Sequence, residues 1–208
     1  MICDCPRGAN IESVQLKNCP FEFGQLRMVV VQRIYNGTEL NKIANPETFA
    51  NWTAAKKATD STKVVALPNV YAPSITPGDR QVFGENSNDT PDGAGIVMGE
   101  YATTVTGNFA QQSPETIEQI KKLECEVLGV YLVNSAGKIV GKKEGDGIRP
   151  IPIKAFFVKG YETGTMDNPT KNDFQFKMKA DWYEDLKIVT ATDFDPLLQL
   201  QEFEASAN

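Results

Sequence analysis

Residues 128–141 read LGVYLVNSAGKIVG, and this stretch decides the fold. Apolar runs over 128–133 and 138–141 flank Asn134-Ser135-Ala136-Gly137, whose residue types are typical of a tight turn. The alternation along both runs, together with this turn, predicts an antiparallel β-hairpin. We therefore expect antiparallel sheet in this chain.

Further strands are expected on both sides of this hairpin. Residues 26–34 are rich in β-branched and other apolar side chains, and the turn residues Asn36 and Gly37 follow them, so we expect a buried strand there. Apolar residues at even spacing predict a strand over 101–109, and the alternation over 174–178 indicates a strand with one buried face. Shorter strands are expected at 63–67, 96–98, 151–158 and 186–189.

Two segments combine a capping residue, a proline and an acidic residue, which is the pattern of a helix start. The first, Asn45-Pro46-Glu47, predicts a short helix over 46–57. The second, Ser113-Pro114-Glu115, is followed by apolar residues at helical spacing and predicts the main helix of the chain. Those apolar residues are Ile117, Ile120, Leu123 and Val127.

The elements together predict an α+β protein, mainly antiparallel β-sheet in a sandwich or barrel, with one main helix, long loops and extended termini. A length of 208 residues suits a single structural domain over 1–208. Three parts are expected outside the core: an irregular N-terminal segment over 1–24, a long loop over 68–95 and a C-terminal arm over 192–208. Connections as long as 68–95 are uncommon and are usually functional or mobile.

The composition argues against several classes of function. The chain has no histidine, which removes the usual general base at neutral pH and the commonest metal ligand. We therefore predict that it is not an enzyme and has no catalytic or cofactor-binding residues. The net charge of −6 gives no basic footprint for sequence-specific nucleic-acid binding, and no apolar run approaches the roughly 20 residues that cross a bilayer.

The four cysteines are the candidate metal ligands. Without histidine, a tetrahedral zinc site would be built from Cys3, Cys5, Cys19 and Cys125, with carboxylates as the only other charged candidates. Cys-x-Cys is a less typical zinc spacing than two cysteines separated by two to four residues. Free thiols and a disulfide stay open beside the structural zinc, although the N-terminus lacks the pattern of an export signal, which argues against an oxidising compartment.

Several segments resemble virion proteins of phages and prophages that infect gut and marine Bacteroidota, a group that includes crAss-like phages. The segments are CDCPRG at 3–8, CPFEFGQ at 19–25, LGVYLV at 128–133, WYEDLKIV at 182–189 and DFDPL at 193–197. They are scattered over most of the chain and carry no catalytic motif. The outline of sheet core, main helix, long loop and extending termini is similar to that of phage tail-tube proteins.

The resemblance implies a tail-tube subunit that self-assembles into stacked rings, forming a conduit for DNA. It implies homo-oligomeric rings, other virion proteins as partners, passive contact with DNA, and a place in the virion after assembly in the bacterial host cytoplasm. A head–tail connector, neck or head decoration protein is the alternative within the same class. A monomeric glycan-binding surface module is the alternative from another class, and it predicts exposed aromatic residues such as Tyr71, Tyr161 or Trp182 grouped on one face.

Overall fold

The hairpin predicted over 128–141 lies at the centre of a ten-stranded antiparallel sheet system. A computed structural model describes residues 23–84, 95–165 and 169–201. The strands there are β1 (Leu26–Arg33), β2 (Tyr35–Asn36), β3 (Glu39–Leu40), β4 (Val64–Ala66), β5 (Val70–Thr76), β6 (Arg80–Phe83), β7 (Ile96–Glu100), β8 (Thr103–Ala110), β9 (Leu128–Asn134), β10 (Lys138–Glu144), β11 (Gly147–Arg149), β12 (Ile151–Val158), β13 (Lys171–Met178) and β14 (Leu186–Thr190). The helices are α1 (Phe49–Lys57), α2 (Pro114–Lys121) and α3 (Pro196–Gln199), with a 3-10 helix over Lys122–Cys125.

Strand β9 organises the pairing of this system. It pairs with β1 along one edge, and with β10 and the start of β12 along the other. Strand β4 extends this first sheet beyond β1, and β14 extends it beyond β10. The rest of β12 pairs with β13, which leads through β8 to β5 and makes the second sheet. A bulge between Lys154 and Phe157, with Ala155 at φ 51°, interrupts the register of β12 where it enters the second sheet.

Two apolar clusters explain why β1 and β9 are almost continuously apolar. Alternate side chains of β1, such as Val29 and Val30, enter different clusters because successive residues of a strand point to opposite faces. The inner cluster lies between the two sheets and includes Val105, Phe109, Phe174 and Phe176. The outer cluster lies on the other face of the first sheet and comprises Met28, Val30, Ile43, Trp52, Val64, Tyr131, Val133, Ile139, Ile148, Val189 and Leu200. The fold class predicted from the sequence is confirmed.

The outer cluster is covered by α1 and by the segment 193–200. Trp52 of α1 is fully buried, its indole N–H donates to the Pro46 carbonyl at 2.9 Å, and its ring meets the edge of Tyr131 at 5.2 Å. The Asp193 carboxylate accepts the Phe49 N–H at 2.9 Å and so caps the first turn of α1 from the other end of the described chain. The expected C-terminal arm therefore packs on its own chain as far as residue 201, and 202–208 lie outside the described residues.

The sequence predicts a long loop over 68–95, but the described part of that range contains the strands β5 and β6. The prediction is therefore wrong there. Strand β5 is an edge strand in which Pro73, a register shift between Tyr71 and Ser74, and Ala72 at φ 44° break the regular pattern. Proline and bulges are typical of edge strands and interrupt the regular alternation of side chains. For this reason the sequence pattern did not indicate a strand here. Residues 85–94 lie outside the described part of the chain.

Two glutamates, one in the 3-10 helix and one directly after it, bind to residues of the two sheets. The Glu124 carboxylate accepts the Val158 N–H at 2.8 Å. The Glu126 carboxylate accepts two bonds from the Arg33 guanidinium, from Nε at 2.9 Å and from Nη2 at 2.6 Å. This paired geometry is the strong form of an arginine–carboxylate contact, and it joins the end of β1 to a residue two positions before β9.

Replacing Glu126 with glutamine is expected to cause a small, pH-dependent loss of stability. The hydrogen bonds from Arg33 hold the pKa of Glu126 below its ordinary value of 4.5. The carboxylate therefore stabilises the fold above that value, and its contribution is lost as the pH falls through the lower pKa of the folded state. Thermal unfolding should give the variant a lower Tm than the unmodified protein at pH 7, and this difference in Tm should disappear toward pH 3. A difference in Tm that stays constant with pH would contradict this account.

Candidate functional site

Strands β6 and β7 form a two-stranded hairpin that pairs with no other strand among the described residues. The hairpin continues the β5–β8 ladder past Thr76 and Thr104, and the Tyr101 N–H donates to the Asp79 carbonyl at 2.9 Å at its base. A ribbon of two strands is at best marginally stable in water when nothing packs against it. Its side chains are therefore candidates for contact with a partner.

Apolar side chains are exposed on both faces of this hairpin. Val82 pairs with Val97 and Phe83 with Ile96, and directly paired residues share a face, so the two pairs lie on opposite faces. Phe83 is 53% exposed and Val97 is 57% exposed. Met98, at the register shift beside Gly99, is 69% exposed. Contiguous apolar exposure of this kind marks an interaction surface, whereas single exposed apolar residues are ordinary.

The sequence indicates this hairpin only in part. The strand predicted at 96–98 is confirmed, whereas Val82 and Phe83, predicted to lie in the loop over 68–95, belong to β6. Two apolar pairs that flank a polar stretch are the pattern of a hairpin. Because both faces of this hairpin are apolar and solvent-exposed, the alternation that normally reveals a half-buried strand is missing.

The outer face of the second sheet is polar and carries both ion-paired and unpaired lysines. Outward positions carry hydroxyl and amide side chains together with lysines, of which Lys154 and Lys177 pair directly across β12 and β13 and have no acidic partner among the described residues. Lys159 pairs with Asp173 at 3.4 Å, and Lys171 pairs with Glu162 at 3.4 Å. The hydroxyl and amide side chains of this face include Ser74, Thr76, Thr104, Thr106, Asn108 and Gln175.

The predicted zinc ligands are described only in part. Cys125 lies in the 3-10 helix as an exposed free thiol, and Cys3, Cys5 and Cys19 lie outside the described residues. Within residues 23–84, 95–165 and 169–201, no group of three or more Cys, Asp or Glu side chains is placed to hold a metal ion. The four-cysteine site stays a prediction, which metal analysis of the purified protein tests directly.

The aromatic residues named for a glycan platform have different environments. Tyr71 is exposed with the Arg27 guanidinium over its ring at 4.9 Å, and the Tyr161 hydroxyl donates to the Gln112 carbonyl at 3.3 Å. Trp182 is half-buried against the inner cluster. Two of the three residues are therefore exposed, and the tryptophan contributes to packing.

No helix in the described ranges is long and apolar enough to cross a membrane.

In comparisons with known proteins, no family model matches the sequence and no match to a curated protein is found. Among solved structures, a chain of a "Virion of native gene transfer agent (GTA) particle" is similar, with a TM-score of 0.36 and 12% sequence identity. The similarity covers 61% of this chain and 89% of the matched chain. A similarity at this level defines neither a family nor a function for the chain.

Proposed function

We propose that this chain is a bacteriophage virion structural protein, a tail-tube subunit that self-assembles into stacked rings around a DNA conduit. Its role is to form contacts with copies of itself and with other virion proteins, without catalysis. The observation that carries the proposal is the β6–β7 hairpin, which presents apolar side chains on both faces and stands outside the main sheets. Burying these side chains against neighbouring copies would give the hairpin the packing that the described residues of one copy do not supply.

The outer face of the second sheet is the surface we assign to the conduit. Protein contacts to DNA phosphates come chiefly from free lysine and arginine side chains, which hold the strand through counterion release. On this face Lys159 and Lys171 have acidic partners, whereas Lys154 and Lys177 have none among the described residues. Lys154 and Lys177 are therefore the side chains of this face that would contact phosphates, and the net charge of −6 would limit how strongly the strand is held.

A head–tail connector, neck or head decoration protein would use the same kind of contact. The exposed hairpin supports each of these roles equally well, because all of them need a subunit that binds its neighbours. What separates them is the form of the assembly: a tube requires rings that stack, whereas a connector stops at one ring. The glycan-binding module predicts a monomer that binds a sugar on its own.

Purified protein examined by sedimentation and negative-stain microscopy is expected to form rings and stacked tubes as its concentration rises. Single rings that never stack would favour the connector. A monodisperse monomer at millimolar concentration would contradict the proposal, and binding on a glycan array would then support the surface module. Because hydrophobic contacts strengthen when sulfate is added, ammonium sulfate should promote the assembly.

A further inference from the structure

A groove of about 700 Å³ lies between β4 and α2. One wall is the edge strand β4 with the link to β5, and the other wall includes Thr116, Gln119 and Ile120 of α2. Lys63 is the one side chain with a full charge among the residues that line it. Apolar surface alternates with amide and hydroxyl groups, which suits a polypeptide better than an ionic ligand.

The β4 wall of the groove offers main-chain hydrogen-bonding groups. Strand β4 pairs with β1 on one side, and on the other side it has no partner strand among the described residues. The Leu67 N–H donates to the Val29 carbonyl, so the alternation of an antiparallel ladder turns the main-chain groups of Val64 and Ala66 away from β1. Val65 adds an exposed apolar side chain to this edge. A free edge of this kind is the template onto which another strand can add.

The groove and the hairpin lie at opposite ends of the β5–β8 ladder. Asn69 and Tyr71, at the start of β5, line the groove, whereas the hairpin follows Thr76 at the end of β5. A strand rises about 3.3 Å per residue, so the seven residues of β5 separate the two surfaces by roughly 20 Å. A hairpin therefore points away from the groove of its own chain.

We propose that the β6–β7 hairpin of one copy docks into the β4–α2 groove of the next copy, in a head-to-tail contact. Such a contact joins two different surfaces, so it repeats from copy to copy and generates rings or open stacks instead of closed dimers. This inference rests on the proposed self-assembly and names the surfaces that perform it.

Charge and area are compatible with this pairing. The base of the hairpin carries Asp79, Arg80 and Glu100, with a net charge of −1, and the groove carries Lys63. The six exposed apolar residues over Val82–Tyr101 together expose on the order of 600 Å² on the two faces of the hairpin, of which the docked face would be buried, against about 800 Å² per partner in a standard interface. Main-chain bonds to β4 would supply the remaining contact.

Two variants that each remove one surface test the proposal by complementation. Val97→Asp disables the hairpin and leaves the groove intact, and Val65→Asp disables the groove and leaves the hairpin intact. Each variant alone should stay monomeric at ten times the concentration at which the unmodified protein assembles. An equimolar mixture should form heterodimers that grow no further, because it holds one intact hairpin and one intact groove per pair. Gln119→Trp, at an exposed position of α2, blocks the groove without touching a strand.

Sedimentation of each protein and of the mixture separates the outcomes. If the unmodified protein assembles and both Val65→Asp and Gln119→Trp assemble as well, the groove assignment is overturned while the proposed function stands. Assembly defects in both variants without heterodimers in the mixture would also overturn it, since the intact hairpin of Val65→Asp would then fail to bind the intact groove of Val97→Asp. If the unmodified protein forms no assembly at any concentration, the proposed function and this inference fail together.

Discussion

Replacing Val97 with aspartate is expected to raise the concentration at which the protein assembles by roughly 30-fold to 3,000-fold. The side chain is 57% exposed on the hairpin, so the folded single copy tolerates the change. In the assembled state it would place a carboxylate inside an apolar contact. An unpaired buried charge at an interface costs about 2–5 kcal/mol, and about 1.4 kcal/mol corresponds to a factor of ten. Sedimentation over a concentration series measures the shift.

Val127→Asp is the matched control for this experiment. Val127 has the same side chain and is 66% exposed, but it lies between the 3-10 helix and β9, outside both the hairpin and the groove. It should assemble as the unmodified protein does. Equal defects in both variants would show that added charge, and not loss of the hairpin surface, prevents assembly.

Replacing Trp52 with alanine is expected to lower the free energy of unfolding by about 3–5 kcal/mol. The indole is fully buried in the outer cluster, and its loss would leave a cavity beside Tyr131 and an unsatisfied Pro46 carbonyl. For a chain of this size each kcal/mol lowers Tm by about 2–4 °C. Calorimetry or circular dichroism should therefore show a decrease of roughly 6–20 °C.

Two further substitutions show which part of the tryptophan matters. Trp52→Phe keeps an aromatic ring against Tyr131 but removes the donor to Pro46, so its effect should be smaller than that of alanine. Tyr183→Ala removes an aromatic ring that is 61% exposed and should change Tm little. A loss below about 1 kcal/mol for Trp52→Ala would mean that the outer cluster contributes little to stability.

Local signals in the sequence were sufficient for the centre of the fold. The turn at 134–137 and its flanking runs define the β9–β10 hairpin, and the strand predicted over 151–158 coincides with β12. The Ser113 hydroxyl accepts the Thr116 N–H at 3.2 Å, as expected of the cap that its sequence context predicts. Each of these features depends on residues that are neighbours in the chain.

Contacts between distant residues explain what sequence patterns did not reveal. The helix predicted from Pro46 begins at Phe49. Asn45 adopts φ 43°, and the Thr48 N–H donates to the Asn45 carbonyl, so residues 45–48 form a turn before the helix. The cap on Phe49 then comes from Asp193, which no local pattern associates with it. The candidate interface was missed for a related reason. Among the described residues, no other segment covers the apolar hairpin or fills the groove, so no burial pattern marks them.

The capping of α1 by Asp193 has a consequence for how the protein is made. The two residues are separated by 144 positions, and ribosomes add about 5–20 residues per second, so α1 waits roughly 7–30 s for its cap. Until then, the face of the first sheet around Trp52 lacks the cover that Phe194 and Leu197 provide. A nascent chain thus exposes an apolar, aggregation-prone surface until residues 193–200 have been synthesised. In a crowded cell, that interval is when chaperones would be needed most.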